Sequence, residues 1–202
     1  RAVSKCLAYL HSINICHRDI KVENVLINAS GDYKLTDFGS AVPANKFSKR
    51  RQGDIGVVEE DIEKFTTPEY RAPEMVNSLA HLPIGPKADI WAAGCLLYKM
   101  EFFVTPFDGS PMKIMRGTYS LPKQIEQTEL DWIKHTLVVD QDQRWCAQEL
   151  LDSINQNGQT SSTQRLPKAN KNDASGSQIT VHQPAKLQQT VQCVPRHDDR
   201  TN

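Results

Sequence analysis

From Ile90 to Tyr98 the chain reads Ile-Trp-Ala-Ala-Gly-Cys-Leu-Leu-Tyr, and the wider stretch from Lys87 to Phe103 is nearly all apolar. A helix apolar on every side has no face to give to water, so it must lie at the centre of a packed domain. The run is too short to cross a bilayer. The remaining residues must therefore wrap it, and 202 residues suffice for one domain with a tail. Val3, Cys6, Leu7, Leu10 and Ile13 recur at helical spacing and predict an amphipathic helix over 1–13. Further helices are expected at about 111–116, 126–138 and 146–155. Two short apolar runs, 25–28 and 33–36, flank Ser30-Gly31-Asp32, a turn in which Gly31 can take a positive φ. The fold class read from these elements is mainly α, with one short β-hairpin.

From about residue 158 serine, threonine, glutamine, lysine and asparagine dominate, and 158–202 contains no Phe, Trp or Tyr. Such a segment buries too little apolar area to offset its conformational entropy, so it is expected to be disordered. The domain reading is a lobe over 1–157 and a polar tail over 158–202. Lysine and arginine balance aspartate and glutamate at 24 each, which gives no electrostatic reason to expect nucleic acid as a partner. Cys6, Cys16, Cys95, Cys146 and Cys193 are scattered without Cys-x-x-Cys spacing, so free thiols and a cytoplasmic setting are expected.

Chemistry concentrates on both sides of the hairpin. His17-Arg18-Asp19-Ile20-Lys21-Val22-Glu23-Asn24 leads into it, and Asp37-Phe38-Gly39 leads out. Asn24 at the entry and Asp37 at the exit are brought together by the pairing of the strands, and both carry hard oxygen ligands suited to Mg²⁺. Farther on come Thr67-Pro68-Glu69-Tyr70-Arg71-Ala72-Pro73-Glu74 and Asp89-Ile90-Trp91-Ala92-Ala93-Gly94. These strings resemble the catalytic domain of eukaryotic serine/threonine protein kinases over about residues 1–155. The resemblance implies ATP and Mg²⁺ as cofactors and protein Ser/Thr hydroxyls as acceptors. It implies Asp19 as catalytic base, Lys21 facing the γ-phosphate, Asn24 and Asp37 as metal ligands, and Thr67 hydrogen-bonded to Asp19 and Lys21. His17, Phe38 and Gly39 are implied to shape the site. Asp89 would brace the catalytic loop from below, and Glu74 with Arg144 would form a buried pair. Arg18 would bind a phosphorylated residue of the 37–74 segment, with Ser48, Thr66 and Thr67 as candidates by position.

The middle of that segment is basic at Lys46, Lys49, Arg50 and Arg51, then acidic at Glu59, Glu60, Asp61 and Glu63. One reading is a solvated loop followed by a short helix. The other is an autoregulatory or substrate-docking loop. Lys21-Val22-Glu23-Asn24, Asp37-Phe38-Gly39-Ser40-Ala41, Lys87-Ala88-Asp89-Ile90-Trp91 and Gly94-Cys95-Leu96-Leu97-Tyr98-Lys99-Met100 resemble the Numb-associated kinase family. That branch implies endocytic, clathrin-adaptor substrates and a location in the cytoplasm or peripheral to endocytic membranes.

No Gly-x-Gly-x-x-Gly loop occurs in the 202 residues, and sixteen residues stand before His17, too few for a nucleotide-clamping lobe. The expectation is a kinase large lobe with the small lobe absent, inactive alone. The rival is a kinase-like binding or scaffold module without catalysis.

Overall fold

The computed structural model describes residues 1–48, 52–121, 125–158 and 179–181. Helix α1, Ala2–Ser12, is followed by strand β1, Ile15–Cys16, the hairpin strands β2, Val25–Ile27, and β3, Tyr33–Leu35, and strand β4, Val42–Pro43. Helices α2, Ile55–Phe65, α3, Pro73–Val76, and α4, Pro86–Phe102, come next. Then come α5, Pro111–Arg116, β5, Tyr119–Leu121, α6, Gln127–Thr136, α7, Ala147–Gly158, and β6, Ile179–Val181. Among the described residues the strands form three antiparallel pairs, β1 with β4, β2 with β3 and β5 with β6. No helix among these residues is long and apolar enough to cross a membrane.

The apolar run is the centre of the domain. Pro86 opens α4, where its missing N–H costs nothing. Ile90, Trp91 and Cys95 are fully buried. The Trp91 ring stacks on Phe107 with centroids 5.0 Å apart. Helix α6 crosses α4 at Gly94, where an added Cβ would stand 2.5 Å from Thr136 Oγ1 and 2.7 Å from Leu137 Cδ2. Both neighbours are wholly buried. Gly94→Ala should therefore lower stability by about 1–3 kcal/mol through overpacking, although alanine is the better helix former by about 1 kcal/mol. A thermal melt checks this: a raised Tm would mean that α6 withdraws freely.

The hairpin turn is built as its residues predict. Gly31 has φ 81°, and the Asn28 carboxamide oxygen accepts from the backbone N–H of Ser30 at 3.0 Å and of Asp32 at 2.8 Å. At the open end Thr36 N–H donates to the Asn24 carbonyl at 2.9 Å. That bond continues the β2–β3 ladder and sets the two candidate metal ligands on neighbouring backbone.

Two expectations need correction. The tail is not without structure throughout: Ile179–Val181, a β-branched tripeptide in a polar sequence, pairs with β5 and covers an edge that would otherwise stand open. The rest of the tail reading, beyond Gly158, lies outside the described residues. Cys6, Cys16 and Cys95 are free thiols, but Cys146 is disulfide-bonded.

Candidate active site

The floor of the site is a carboxylate from the first turn of α4. Asp89 is wholly buried. Its Oδ1 accepts from the Arg18 backbone N–H at 2.7 Å, and its Oδ2 accepts from His17 N–H at 2.8 Å and His11 Nε2 at 2.9 Å. Arg18 has φ 70°, a conformation costly for a residue with a Cβ, and these charge-assisted bonds hold it there. His17 is buried as well. Its Nε2 donates to the Thr36 carbonyl at 3.1 Å, which leaves Nδ1 to accept from the Asp19 N–H at 3.4 Å. Phe38 packs edge-on against its ring at 5.0 Å. His17 thus spaces the loop from the hairpin exit.

Around Asp19 three side chains close a network. Thr67 Oγ1 donates to Asp19 Oδ1 at 2.7 Å and accepts from Lys21 Nζ at 3.0 Å. Lys21 Nζ also lies 2.7 Å from Asp19 Oδ2. Asn24 Nδ2 donates to the Asp19 carbonyl at 2.8 Å and to Oδ2 at 3.1 Å. Burial pushes the Asp19 carboxyl up, but the bonds from Lys21 and Thr67, the Lys21 charge and the Asn24 bond outweigh it and hold the group below the usual carboxylate value. Lys21, Asn24 and Thr67 open onto a cleft of about 500 Å³ that Glu23, Glu69, Tyr70 and Lys99 complete. Lys99 belongs to α4, in a stretch whose sequence is otherwise nearly all apolar. The structure instead turns its ammonium into the cleft, 3.8 Å from Glu23.

Asp37 is exposed, has φ 61° and accepts from Gly39 N–H through Oδ1 at 3.2 Å. A Cβ on Gly39 would press on that same oxygen at 3.1 Å. Because the Asn24 amide nitrogen is turned to Asp19, its Oδ1 is left as an open acceptor among the described residues, as is Asp37 Oδ2. Two hard oxygens on neighbouring backbone fit Mg²⁺, which takes one or two protein oxygens and completes its shell with phosphate and water.

Arg18 already has partners of its own. Its guanidinium donates through Nε to the Ser40 carbonyl at 2.7 Å and through Nη1 to Asp61 of α2. Asp61 Oδ2 also accepts from Lys46 Nζ at 2.7 Å. Burial raises the Asp61 carboxyl, and the Lys46 and Arg18 bonds and charges more than reverse it. None of the three hydroxyls considered from sequence meets Arg18. Ser48 donates to the Asn45 carbonyl at 2.9 Å, Thr66 donates to the Ile62 carbonyl at 2.5 Å, and Thr67 is on Asp19. The signal that could have found Asp61 is its register. It lies three residues after buried Val58 and four before Phe65, so a carboxylate falls on the inward stripe of α2.

Glu74 and Arg144 meet as the resemblance implies. Arg144 Nη1 and Nη2 donate to Glu74 Oε1 and Oε2 at 2.7 and 3.0 Å, and both side chains are buried. Arg144 also donates to the carbonyls of Val138 at 2.9 Å and Lys87 at 2.6 Å, and lies 5.1 Å from the Trp91 ring centre.

A helical lobe carrying this constellation on its catalytic loop and hairpin has the build of a phosphotransferase domain. The protein kinase domain family matches residues 1–154, and the chain belongs to that family. It is 42% identical over 123 residues to Actin-regulating kinase 1 of Saccharomyces cerevisiae, covering 59% of this chain and 19% of that protein. It is 42% identical over 147 residues to a probable serine/threonine-protein kinase of Dictyostelium discoideum, covering 70% of this chain and 18% of that protein. A second such Dictyostelium kinase is 46% identical over 124 residues, covering 59% of this chain and 11% of that protein. The chain thus spans less than a fifth of the length of these relatives.

Proposed function

We propose that the chain carries the catalytic lobe of a serine/threonine protein kinase, transferring the γ-phosphoryl group of ATP to a protein hydroxyl. The observation that carries this reading is the closed network of Asp19, Lys21, Asn24 and Thr67. Asp19 Oδ2 already accepts from Lys21 and Asn24, whereas Oδ1 accepts from Thr67 alone. Oδ1 is therefore the oxygen with a lone pair open to an incoming hydroxyl. The acceptor hydroxyl donates there, and its oxygen forms the new bond to the γ-phosphorus as the bond to the β,γ-bridging oxygen breaks and ADP leaves. The proton ends on Asp19 Oδ1 or is passed on from it. Lys21, fixed by Thr67, offers its charge where the transferring group gathers negative charge. Asn24 and Asp37 would hold Mg²⁺, which when bound neutralises phosphate charge.

The Numb-associated strings support a finer reading, with threonines of endocytic adaptors as substrates and a site of action at endocytic membranes. The chain spans less than a fifth of the relatives it matches, so the whole gene product is the right material for assay. Phosphoamino-acid analysis of its products should give phosphoserine or phosphothreonine. Thr67→Val, which breaks both hydrogen bonds, should lower turnover by about 10²-fold, while Thr67→Ser should stay within a few-fold of the parent. Phosphotyrosine as the main product would overturn the acceptor class. Binding of protein partners with no phosphoryl transfer would favour the scaffold reading.

A further inference from the structure

Arg18 stands immediately before the proposed base, and its side chain is only 3% exposed. A buried guanidinium requires a matched acceptor. Here the acceptors come from two places, the Ser40 carbonyl just past Asp37-Phe38-Gly39 and the Asp61 carboxylate on α2. Phe47 and Phe65 lie on the guanidinium with ring centres 5.4 and 5.7 Å away. Lys46 closes the cluster on the other carboxylate oxygen. One aspartate thus joins the catalytic loop, the start of the long segment and the helix within it. Two cations converging on one acid define an anion site, and a side chain of this protein fills it.

The position of that anchor bears on catalysis. Asp61 lies six residues before Thr67 on the same helix and its C-terminal turn. The turn is locked by the Thr66 hydroxyl on the Ile62 carbonyl and by Arg71 Nε on Thr66 Oγ1 at 2.9 Å. Thr67 follows directly and bonds Asp19. Fixing α2 on Arg18 therefore fixes where Thr67 meets the base.

We propose that Asp61 is a resident substitute for a segment phosphate, a positioning residue that fills the Arg18–Lys46 anion site and holds the segment through Thr67 in place without phosphorylation. The inference rests on the kinase reading for its catalytic consequence, but not for the anion site itself. Full-length protein treated with phosphatase, and shown by mass to carry no phosphate on the segment, should keep its turnover within about twofold. Asp61→Ala should lower kcat at least tenfold with KM for ATP within about twofold. Millimolar inorganic phosphate should restore most of the loss in Asp61→Ala, and none in Asp61→Ala combined with Arg18→Ala. Asp61→Asn, which keeps the shape and removes the charge, serves if the alanine variant folds poorly, and Asp61→Glu should retain most activity.

A readout free of catalysis separates the two readings. In Asp61→Ala, phosphate should raise Tm and restore hydrogen-exchange protection at Thr66 and Thr67, with no such effect on the parent. If those shifts occur in a protein that transfers no phosphoryl group, the kinase reading fails and the anion site stands. If phosphate neither protects nor rescues any Asp61 variant, or if dephosphorylation of the parent removes most of its turnover, the proposal is overturned.

Discussion

Asp19→Ala should lower kcat by about 10²–10⁴-fold, the usual worth of a positioned general base, while the Kd for Mg·ATP changes by no more than a few-fold. In the proposed mechanism the carboxylate meets the acceptor hydroxyl and not the nucleotide, so its loss should fall on the transition state rather than on ground-state binding. Asp19→Asn should be nearly as impaired, because an amide keeps the shape but its oxygen is too weakly basic to take the proton. The pH dependence follows from the direction of the shift. Burial raises the Asp19 carboxyl, but the bonds from Lys21, Thr67 and Asn24 and the Lys21 charge lower it further than burial raises it. The group therefore stays ionised through the ordinary carboxylate range. kcat should be level from neutrality down to that range and should fall only as pH drops through the depressed value. The stability gained from these bonds is present above the unfolded-state value and is lost over the same acid window. Steady-state kinetics and nucleotide binding measured on one preparation check the split. Full turnover by Asp19→Ala would remove it as the base.

What was legible in the sequence was local or absolute. The α4 core could be read because Ile90 to Tyr98 is apolar whichever way the helix is turned, and the structure shifts the expected 87–103 by one residue, to Pro86–Phe102. The Asn24–Asp37 juxtaposition could be read because a tight hairpin leaves its ends no other place to go. Arg18 and Asp61 were a different case. The block Glu59, Glu60, Asp61, Glu63 looks uniformly solvated as a charge run, and only its register against Val58 and Phe65 on α2 marks which carboxylate turns inward. Lys99 was hidden for the converse reason, lying just past the apolar run in a helix otherwise consigned to the core. Ile179–Val181 was passed over because averaging across a polar tail submerges three β-branched residues, whereas strand pairing needs no more than three.

Arg144→Met should cost about 3–5 kcal/mol, as expected when one partner of a buried ion pair is removed, and should lower Tm by roughly 6–20 °C for a domain of this size. The guanidinium is fully buried, bidentate on Glu74 and donating to the carbonyls of Val138 and Lys87. Its removal takes both guanidinium bonds from the buried Glu74 carboxylate and a side-chain donor from the carbonyls of Lys87, Val138 and Val139. Glu74→Gln should cost less, because the amide oxygen still accepts one guanidinium bond and the carbonyls keep theirs. The order of the two effects is therefore set by Arg144 serving the 138–139 turn and the first turn of α4 as well as Glu74. The double variant Glu74→Gln with Arg144→Met should lose less than the sum of the singles, by about 0.5–3 kcal/mol of coupling, since the buried carboxylate charge goes together with the guanidinium that faces it. Chemical denaturation of the parent, the two singles and the double gives the cycle directly. Strictly additive losses would mean that the two groups do not act as a pair, and that the α3 to α4 region is held by the Val138 and Lys87 carbonyl bonds alone.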